Sequence, residues 1–172
     1  MPALDGTTTL VIGRGSGIAR AIAMAVLEAG GDVIAAGRHQ ENLADAYRGT
    51  DVGVETVDVT DESSIAALAD RIGGRLDHVV STASAVDAVT AGLAVELAPV
   101  RVNAISPGTI DTGAYDALGE ERKAALFAAK SASNPARRIG TARDIASVAV
   151  MAMTSGFLTG VSIPVDGGEH LV

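Results

Sequence analysis

The stretch Thr8-Thr9-Leu10-Val11-Ile12-Gly13-Arg14-Gly15-Ser16-Gly17-Ile18-Ala19 contains a change of period that decides the fold. Up to Ile12 the residues are β-branched or apolar without a break, the pattern of a strand covered on both faces. From Ile18 the apolar residues recur as Ile18, Ile22 and Val26, the spacing of one helix face. A buried strand therefore hands over to a helix through a glycine-rich turn. Gly13 permits the tight turn and Gly17 lets backbone approach a ligand. The free N–H groups at the helix start, with its positive dipole end, suit a pyrophosphate. Gly13, Arg14, Gly15, Ser16, Gly17 and Ile18 are accordingly the first candidate residues for binding a dinucleotide. The third glycine of the usual pattern is replaced by Ala19, still small enough to pack near the sheet.

Working outward, the same alternation repeats. The helix stops at Gly30-Gly31, and Val33-Ile34-Ala35-Ala36 reads as a second buried strand ending at Gly37. A helix around Gln40 to Tyr47 leads to a strand from Gly53 to Val57. A helix opened by Asp61, with its apolar face on Ser63 to Leu68, leads to a strand from His78 to Ser81. Beyond Ser84, Val86, Val89, Leu93 and Leu97 mark one helix closed by Pro99, followed by a strand from Arg101 to Ile105 and the loop Ser106-Pro107-Gly108-Thr109. A polar helix from Glu120 to Ala132, a helix opened by Thr141 with Asp144 as capping-box partner, and a last strand from Val161 to Val165 complete the chain. Alternating strands and helices of this kind predict an α/β fold, a Rossmann-like doubly wound parallel sheet of about six strands with helices on both faces. No repeat or linker interrupts it, so residues 1–172 are expected to form one dinucleotide-binding domain.

Composition narrows the function classes. The chain has 172 residues, 48% of them apolar but only 2% aromatic, so its core must be built from Ala, Val, Ile and Leu. With 13 basic and 21 acidic residues the net charge is −8, which argues against nucleic acid and anionic membrane as partners. The absence of cysteine excludes disulfides and thiolate chemistry within the 172 residues and agrees with a cytoplasmic setting. No apolar run is long enough to span a membrane, and no signal-peptide pattern is seen at Met1 to Gly13. His39, His78 and His170 follow no ligand spacing, so no metal is expected. The Glu120-Glu121-Arg122-Lys123 cluster and the Arg137-Arg138 pair read as solvated faces.

Where an acidic side chain would hold the ribose hydroxyls of NAD, the chain has Gly37-Arg38. A guanidinium fork suits a 2′-phosphate, and Arg14 can add a second positive charge. NADP (NADPH) is therefore expected in preference to NAD.

With these residues in view, the sequence resembles the short-chain dehydrogenase/reductase family. The resemblance rests on the glycine turn, Asp58-Val59, Leu93-Ala94-Val95-Glu96-Leu97-Ala98-Pro99, Arg101-Val102-Asn103, Ser106-Pro107-Gly108 and Asp166-Gly167-Gly168, in the family's order. It implies that Asp58 and Val59 hold the adenine and that Ser81, Thr82, Ala83 and Ser84 face the cofactor. It also implies that Pro107, Gly108, Ile110 and Thr112 lie beside the nicotinamide. In the family, a catalytic serine and a Tyr-x-x-x-Lys helix come after the strand matched by Asp77 to Ser81. Here Ser84 runs almost directly into the second half of that helix. The only tyrosines, Tyr47 and Tyr115, are followed four residues on by Asp51 and Gly119, and the only lysines are Lys123 and Lys130.

The expected consequence is an internal deletion that removes proton donor, tuning cation and carbonyl holder together, leaving the catalytic residues unknown. Ser81, Thr82 and Ser84 are hydroxyls without a base. Removing a complete helix-plus-strand unit preserves strand direction and crossover hand, so the Arg101 strand is expected beside that at Asp77 to Ser81. One helix of the family's main dimer interface goes with it, which leaves a homo-oligomer possible. The reading is an NADP(H)-binding protein with impaired carbonyl reduction. The alternatives are an oxidoreductase with a non-standard proton donor and a regulatory or structural Rossmann module.

Overall fold

The computed structural model describes residues 3–74, 76–81, 90–91, 94–95 and 98–172. They divide after residue 83 into two compact units.

In the N-terminal unit the β-branched run at Thr8–Ile12 forms β1, followed by α1 (Gly17–Glu28), β2 (Asp32–Gly37), α2 (Gln40–Ala46), β3 (Gly53–Thr56), α3 (Glu62–Ile72) and β4 (His78–Ser81). The four strands make one parallel sheet in the order β3-β2-β1-β4, with Thr9 opposite Val33 on one side and His78 on the other. β2 is buried almost continuously from Val33 to Gly37, as a strand covered on both faces must be. Leu10, Ala36, Val57 and Leu68 form a closed cluster with Ile12, Ile34, Ile72 and Leu76 around it. α1 contributes Ala19, Ile22, Ala23 and Val26, one face at helical spacing. The face expected on α3 is narrower: Leu68 is buried, whereas Ile65 is 45% exposed.

The C-terminal unit contains β5 (Ala104–Pro107), β6 (Ile110–Asp111), α4 (Glu120–Ser133), β7 (Gly140–Thr141), α5 (Ala142–Thr154) and β8 (Ser162–Val165). β5 pairs in parallel with β8, and β6 with β7. The expected capping box is present. Thr141 Oγ1 accepts from Asp144 N at 3.2 Å and Asp144 Oδ2 accepts from Thr141 N at 2.7 Å. Ile145, Ala146, Ala149 and Ala152 are the buried face of α5.

Three expectations need correction. Among the described residues the main sheet has four strands rather than about six, because β5 and β8 form a ladder of their own. The strand expected from Arg101 begins only at Ala104, since residues 101–103 are held by side chains. The Arg101 guanidinium donates to the carbonyls of Ala152 and Met153 at the end of α5, Val102 N donates to Thr159 Oγ1 and Asn103 Nδ2 donates to the Leu158 carbonyl. Nor are Lys123 and Arg138 merely solvated. Lys123 bridges Asp111 at 3.1 Å and Asp116 at 2.6 Å, and Arg138 makes two 2.8 Å bonds to Asp144. Of the helix expected beyond Ser84, Thr90, Ala91, Ala94 and Val95 are helical, while Val86, Val89, Leu93 and Leu97 lie outside the described residues. No helix among the described residues is long and apolar enough to cross a membrane.

Candidate functional site

All four strands of the N-terminal sheet end at the same edge. β1 and β4 are neighbours there, although β2 and β3 intervene in sequence. Such a reversal of strand order leaves a crevice outside the carboxyl ends of the strands. Gly13 follows β1 and donates its N–H to the Ala36 carbonyl at 2.9 Å. The turn is packed too closely for side chains: a Cβ at Gly37 would sit 2.5 Å from the Gly13 carbonyl oxygen, and one at Gly15 would sit 2.9 Å from Leu43 Cδ2. Gly15 and Gly17 also have φ of +73° and +55°, in the left-handed region.

The start of α1 differs from the starts of α3 and α5. Ser16, at the N-cap, is extended and makes no side-chain capping bond, and no acidic residue occupies the first turn. By contrast, Asp61 accepts from Ser63 N at 2.9 Å, and α5 has its capping box. Among the described residues no side chain caps the donors of α1 or opposes its positive dipole end, and the turn fits the pyrophosphate of a dinucleotide.

Arg38 follows β2 directly, is exposed, and makes no hydrogen bond among the described residues. Arg14 is likewise exposed on the turn, whereas Ile18 is half-buried. Asp58 follows β3 and takes the N–H and hydroxyl of Thr60 on Oδ1, at 3.0 and 2.7 Å. These two bonds, with the Arg38 charge adding to them, hold its carboxyl below the ordinary value against the opposing effect of desolvation. Val59 is 44% exposed beside it. Ser81 ends β4, exposed and in register with Ile12. Thr82, Ala83 and Ser84 lie outside the described residues.

In the C-terminal unit, Pro107 and Gly108 lie at the end of β5 beside a cavity of about 310 Å³. Gly108 packs closely, since a Cβ there would meet Asp166 Cβ at 2.6 Å. Ile110 is buried with Cδ1 toward Gly140, and Thr112 is half-buried. The cavity wall also carries Tyr115, Asp166, Glu169 and His170. Glu169 accepts from Thr109 N at 2.9 Å and from Lys130 Nζ at 2.5 Å. The Lys130 bond and the Thr109 N–H hold the Glu169 carboxyl below its ordinary value, and Glu169 in turn raises Lys130. His170 Nδ1 lies 2.6 Å from Asp166 Oδ2. This polar cluster was not anticipated from sequence. Its only local signal is the Asp166/His170 spacing just past the last strand. The described residues hold no group of three His, Asp or Glu arranged for a metal ion.

A parallel sheet with an open, glycine-lined helix start at its switch point defines a nucleotide-binding α/β protein. The short chain dehydrogenase family matches residues 7–85 and the enoyl-(acyl carrier protein) reductase family matches residues 80–170, so the chain belongs to the short-chain dehydrogenase/reductases, whose members bind nicotinamide dinucleotides. Among curated relatives, the short-chain dehydrogenase/reductase ucsE of Acremonium sp is 33% identical over 53% of this chain and 34% of its own. ATR9 of Stachybotrys chlorohalonatus is 36% identical over 54% of this chain and 36% of its own. The chain thus spans about a third of the length of these two relatives. Among solved structures, a short-chain type dehydrogenase/reductase from Mycobacterium ulcerans aligns with a TM-score of 0.82 and 25% identity, over 98% of this chain and 91% of that one. The RhlG/NADP active-site complex of Pseudomonas aeruginosa aligns with a TM-score of 0.84 and 24% identity, over 98% and 99%.

Proposed function

We propose that this chain is an NADP(H)-binding oxidoreductase-family protein that prefers NADPH to NADH and is impaired in carbonyl reduction by the family's usual route. The observation that carries the cofactor preference is Arg38: exposed, unpaired by any hydrogen bond among the described residues, and placed directly after β2. No acidic residue stands there to hold a ribose diol, and Arg14 on the turn adds a second cation. In this reading Gly13 to Ile18 carry the pyrophosphate, Asp58 and Val59 the adenosine, and Ser81, Thr82, Ala83, Pro107, Gly108, Ile110 and Thr112 the nicotinamide half. Residues 1–172 act as one dinucleotide-binding domain, in a cytoplasmic setting that suits a cysteine-free chain.

The impairment follows from what the 172 residues lack. A tyrosine of pKa about 10 relays a proton near neutrality only when a nearby cation stabilises its phenolate. No Tyr-x-x-x-Lys is present, and we read its absence as an internal deletion after Ser84. Intact mass of the protein from its source tests the deletion: 17.2 kDa agrees with it, and a substantially larger mass would overturn it.

Titration calorimetry tests the cofactor. A charge-assisted hydrogen bond is worth roughly 1.5–3 kcal/mol, so NADPH should bind about 10–100-fold more tightly than NADH, and Arg38→Asp should remove most of that margin. Equal affinities in the parent protein would overturn the assignment.

A further inference from the structure

Leu43 is the one residue of α2 that is buried, and its two methyl groups reach two separate parts of the crevice in the N-terminal unit. Cδ2 lies 2.9 Å from the point where a Cβ at Gly15 would sit, on the turn after β1. Cδ1 lies 3.4 Å from the corresponding point at Gly37, the last residue of β2, and the Gly13 carbonyl oxygen lies 2.5 Å from that same point. The leucine therefore fills the space that two missing Cβ atoms leave between the turn and the end of β2. At 2% exposure it offers almost no surface to a ligand.

The helix that carries Leu43 is fastened at both ends. At its start, Thr56 Oγ1 of β3 donates to Gln40 Oε1 at 3.1 Å, and at its end Arg20 Nε of α1 donates to the Ala46 carbonyl at 3.3 Å. Ala46 Cβ and the buried Tyr47 ring also back the turn, at 3.0 and 3.5 Å from the Gly15 Cβ position. Beyond Gly15 begins α1, whose donors no side chain caps among the described residues, and beyond Gly37 comes the exposed Arg38. The spacing of these two anion-seeking groups is thus set by the Gly13 N–H bond to the Ala36 carbonyl, 2.9 Å long, and by one leucine packed beside it. A ligand that engages only the turn is indifferent to that spacing. A ligand that spans the turn and Arg38 on a short, stiff tether gains from both only when the spacing matches its own.

We infer that Leu43 is a specificity-determining positioning residue, which fixes the distance between the glycine turn and Arg38 and thereby favours a dinucleotide carrying a 2′-phosphate over one without it. The inference rests on the dinucleotide reading above, and it assigns the selectivity to a buried apolar side chain as well as to the exposed cation. Shortening this side chain leaves a void that its neighbours fill only in part, and the turn and the end of β2 then settle into it. Charge-assisted bonds are short and directional, so a shift of a fraction of an ångström between their two anchors weakens whichever bond the ligand cannot reach.

Titration calorimetry of the full chain with NADPH and NADH tests it, at a temperature where circular dichroism shows each variant folded. Leu43→Ala should weaken both cofactors, and NADPH about 10-fold more than NADH, which is what one charge-assisted bond contributes. Leu43→Val is the smaller cut, for use if Leu43→Ala does not fold, and should lower the ratio of the two affinities about 3-fold. Leu43→Met keeps the volume and should hold the ratio within about 2-fold of the parent. With Arg38→Ala already in place, Leu43→Ala should no longer change the ratio. Val26→Ala, a cut of equally buried apolar packing beside Gly31 at the other end of α1, should leave it unchanged. Amide exchange gives a readout without cofactor: in Leu43→Ala the Gly13 N–H should exchange about 10-fold faster relative to the Asp32 N–H, which bonds to the Thr7 carbonyl at the far end of the sheet. An unchanged ratio in the Leu43 variants, an equal drop in Val26→Ala, or a drop that persists in full without Arg38 overturns the inference. A parent that binds both cofactors equally, or neither, overturns the reading on which it rests. The exchange of Gly13 then judges the spacing role by itself, and an unmoved Gly13 overturns that too.

Discussion

The starts of α1 and α5 face the same physical problem and solve it oppositely. Every helix start leaves N–H donors without intrahelical partners. At α5 the chain supplies its own solution: Thr141 and Asp144 cap each other, and Arg138 adds two bonds to the same carboxylate. At α1 the N-cap serine makes no capping bond, the first turn has no acid, and two exposed arginines, Arg14 and Arg38, flank the strand ends. The closed end contributes stability, whereas the open end has neither a side-chain cap nor an acid in its first turn. This contrast, more than the glycine spacing alone, supports a phosphate-bearing cofactor at the N-terminal unit.

Breaking the open end should have the largest effect. Gly17→Val places a branched side chain at φ +55° where the pyrophosphate would lie. NADPH affinity should fall on the order of 100-fold or more, read by calorimetry, with the far-ultraviolet dichroism largely kept. Near-parent affinity would place the cofactor elsewhere.

Opening the closed end should cost stability and leave the cofactor untouched. Asp144→Ala removes the capping box and the Arg138 pair, for about 1–2 kcal/mol by urea unfolding at neutral pH. The bonds from Arg138 and from Thr141 hold the Asp144 carboxyl well below the usual carboxylate range. A depressed folded-state pKa means that the contribution is fully present above the unfolded value of about 4 and is lost as pH falls through the lower folded value. The difference between parent and variant should therefore be constant from about pH 7 to 5 and shrink below about pH 4. A pH-independent difference would assign the effect to helix propensity rather than to the ionised cap.

Both helix starts were legible because each is local. The glycine turn lies between a β-branched run and a helical period, and Thr141 and Asp144 are three residues apart. What escaped sequence reading is long-range. Arg101-Val102-Asn103 has strand composition, but the Arg101 and Asn103 side chains and the Val102 N–H are bonded to residues more than fifty positions away, which delays β5 to Ala104. The cavity joins the end of β5 to residues about sixty positions later, and His170 has no partner of note until the 3₁₀ turn Glu169–Leu171 folds it back onto Asp166. Neighbour spacing encodes caps and turns; it does not encode which distant carboxylate or carbonyl a side chain will meet.

Thr9 sharpens the comparison from the other side, because an unpaired polar group is not by itself a binding site. It lies within β1, opposite Val33 and His78, fully buried, and its hydroxyl has no hydrogen-bond partner among the described residues. Unlike the N–H groups of α1, this oxygen is enclosed by the core, where no ligand can reach it, so it represents cost without use. Leaving a buried hydroxyl unpaired costs about 1–3 kcal/mol, and valine keeps nearly the same shape with an equal or better strand preference. Thr9→Val should therefore stabilise the protein by about 1 kcal/mol, raising Tm by roughly 2–4 °C, with NADPH affinity unchanged. A destabilised variant would show that the hydroxyl is paired in solution, for instance by a bound water. A loss of NADPH affinity at unchanged stability would tie β1 to the cofactor through its interior, and the division between closed, structural satisfaction and open, ligand-directed donors would have to be redrawn.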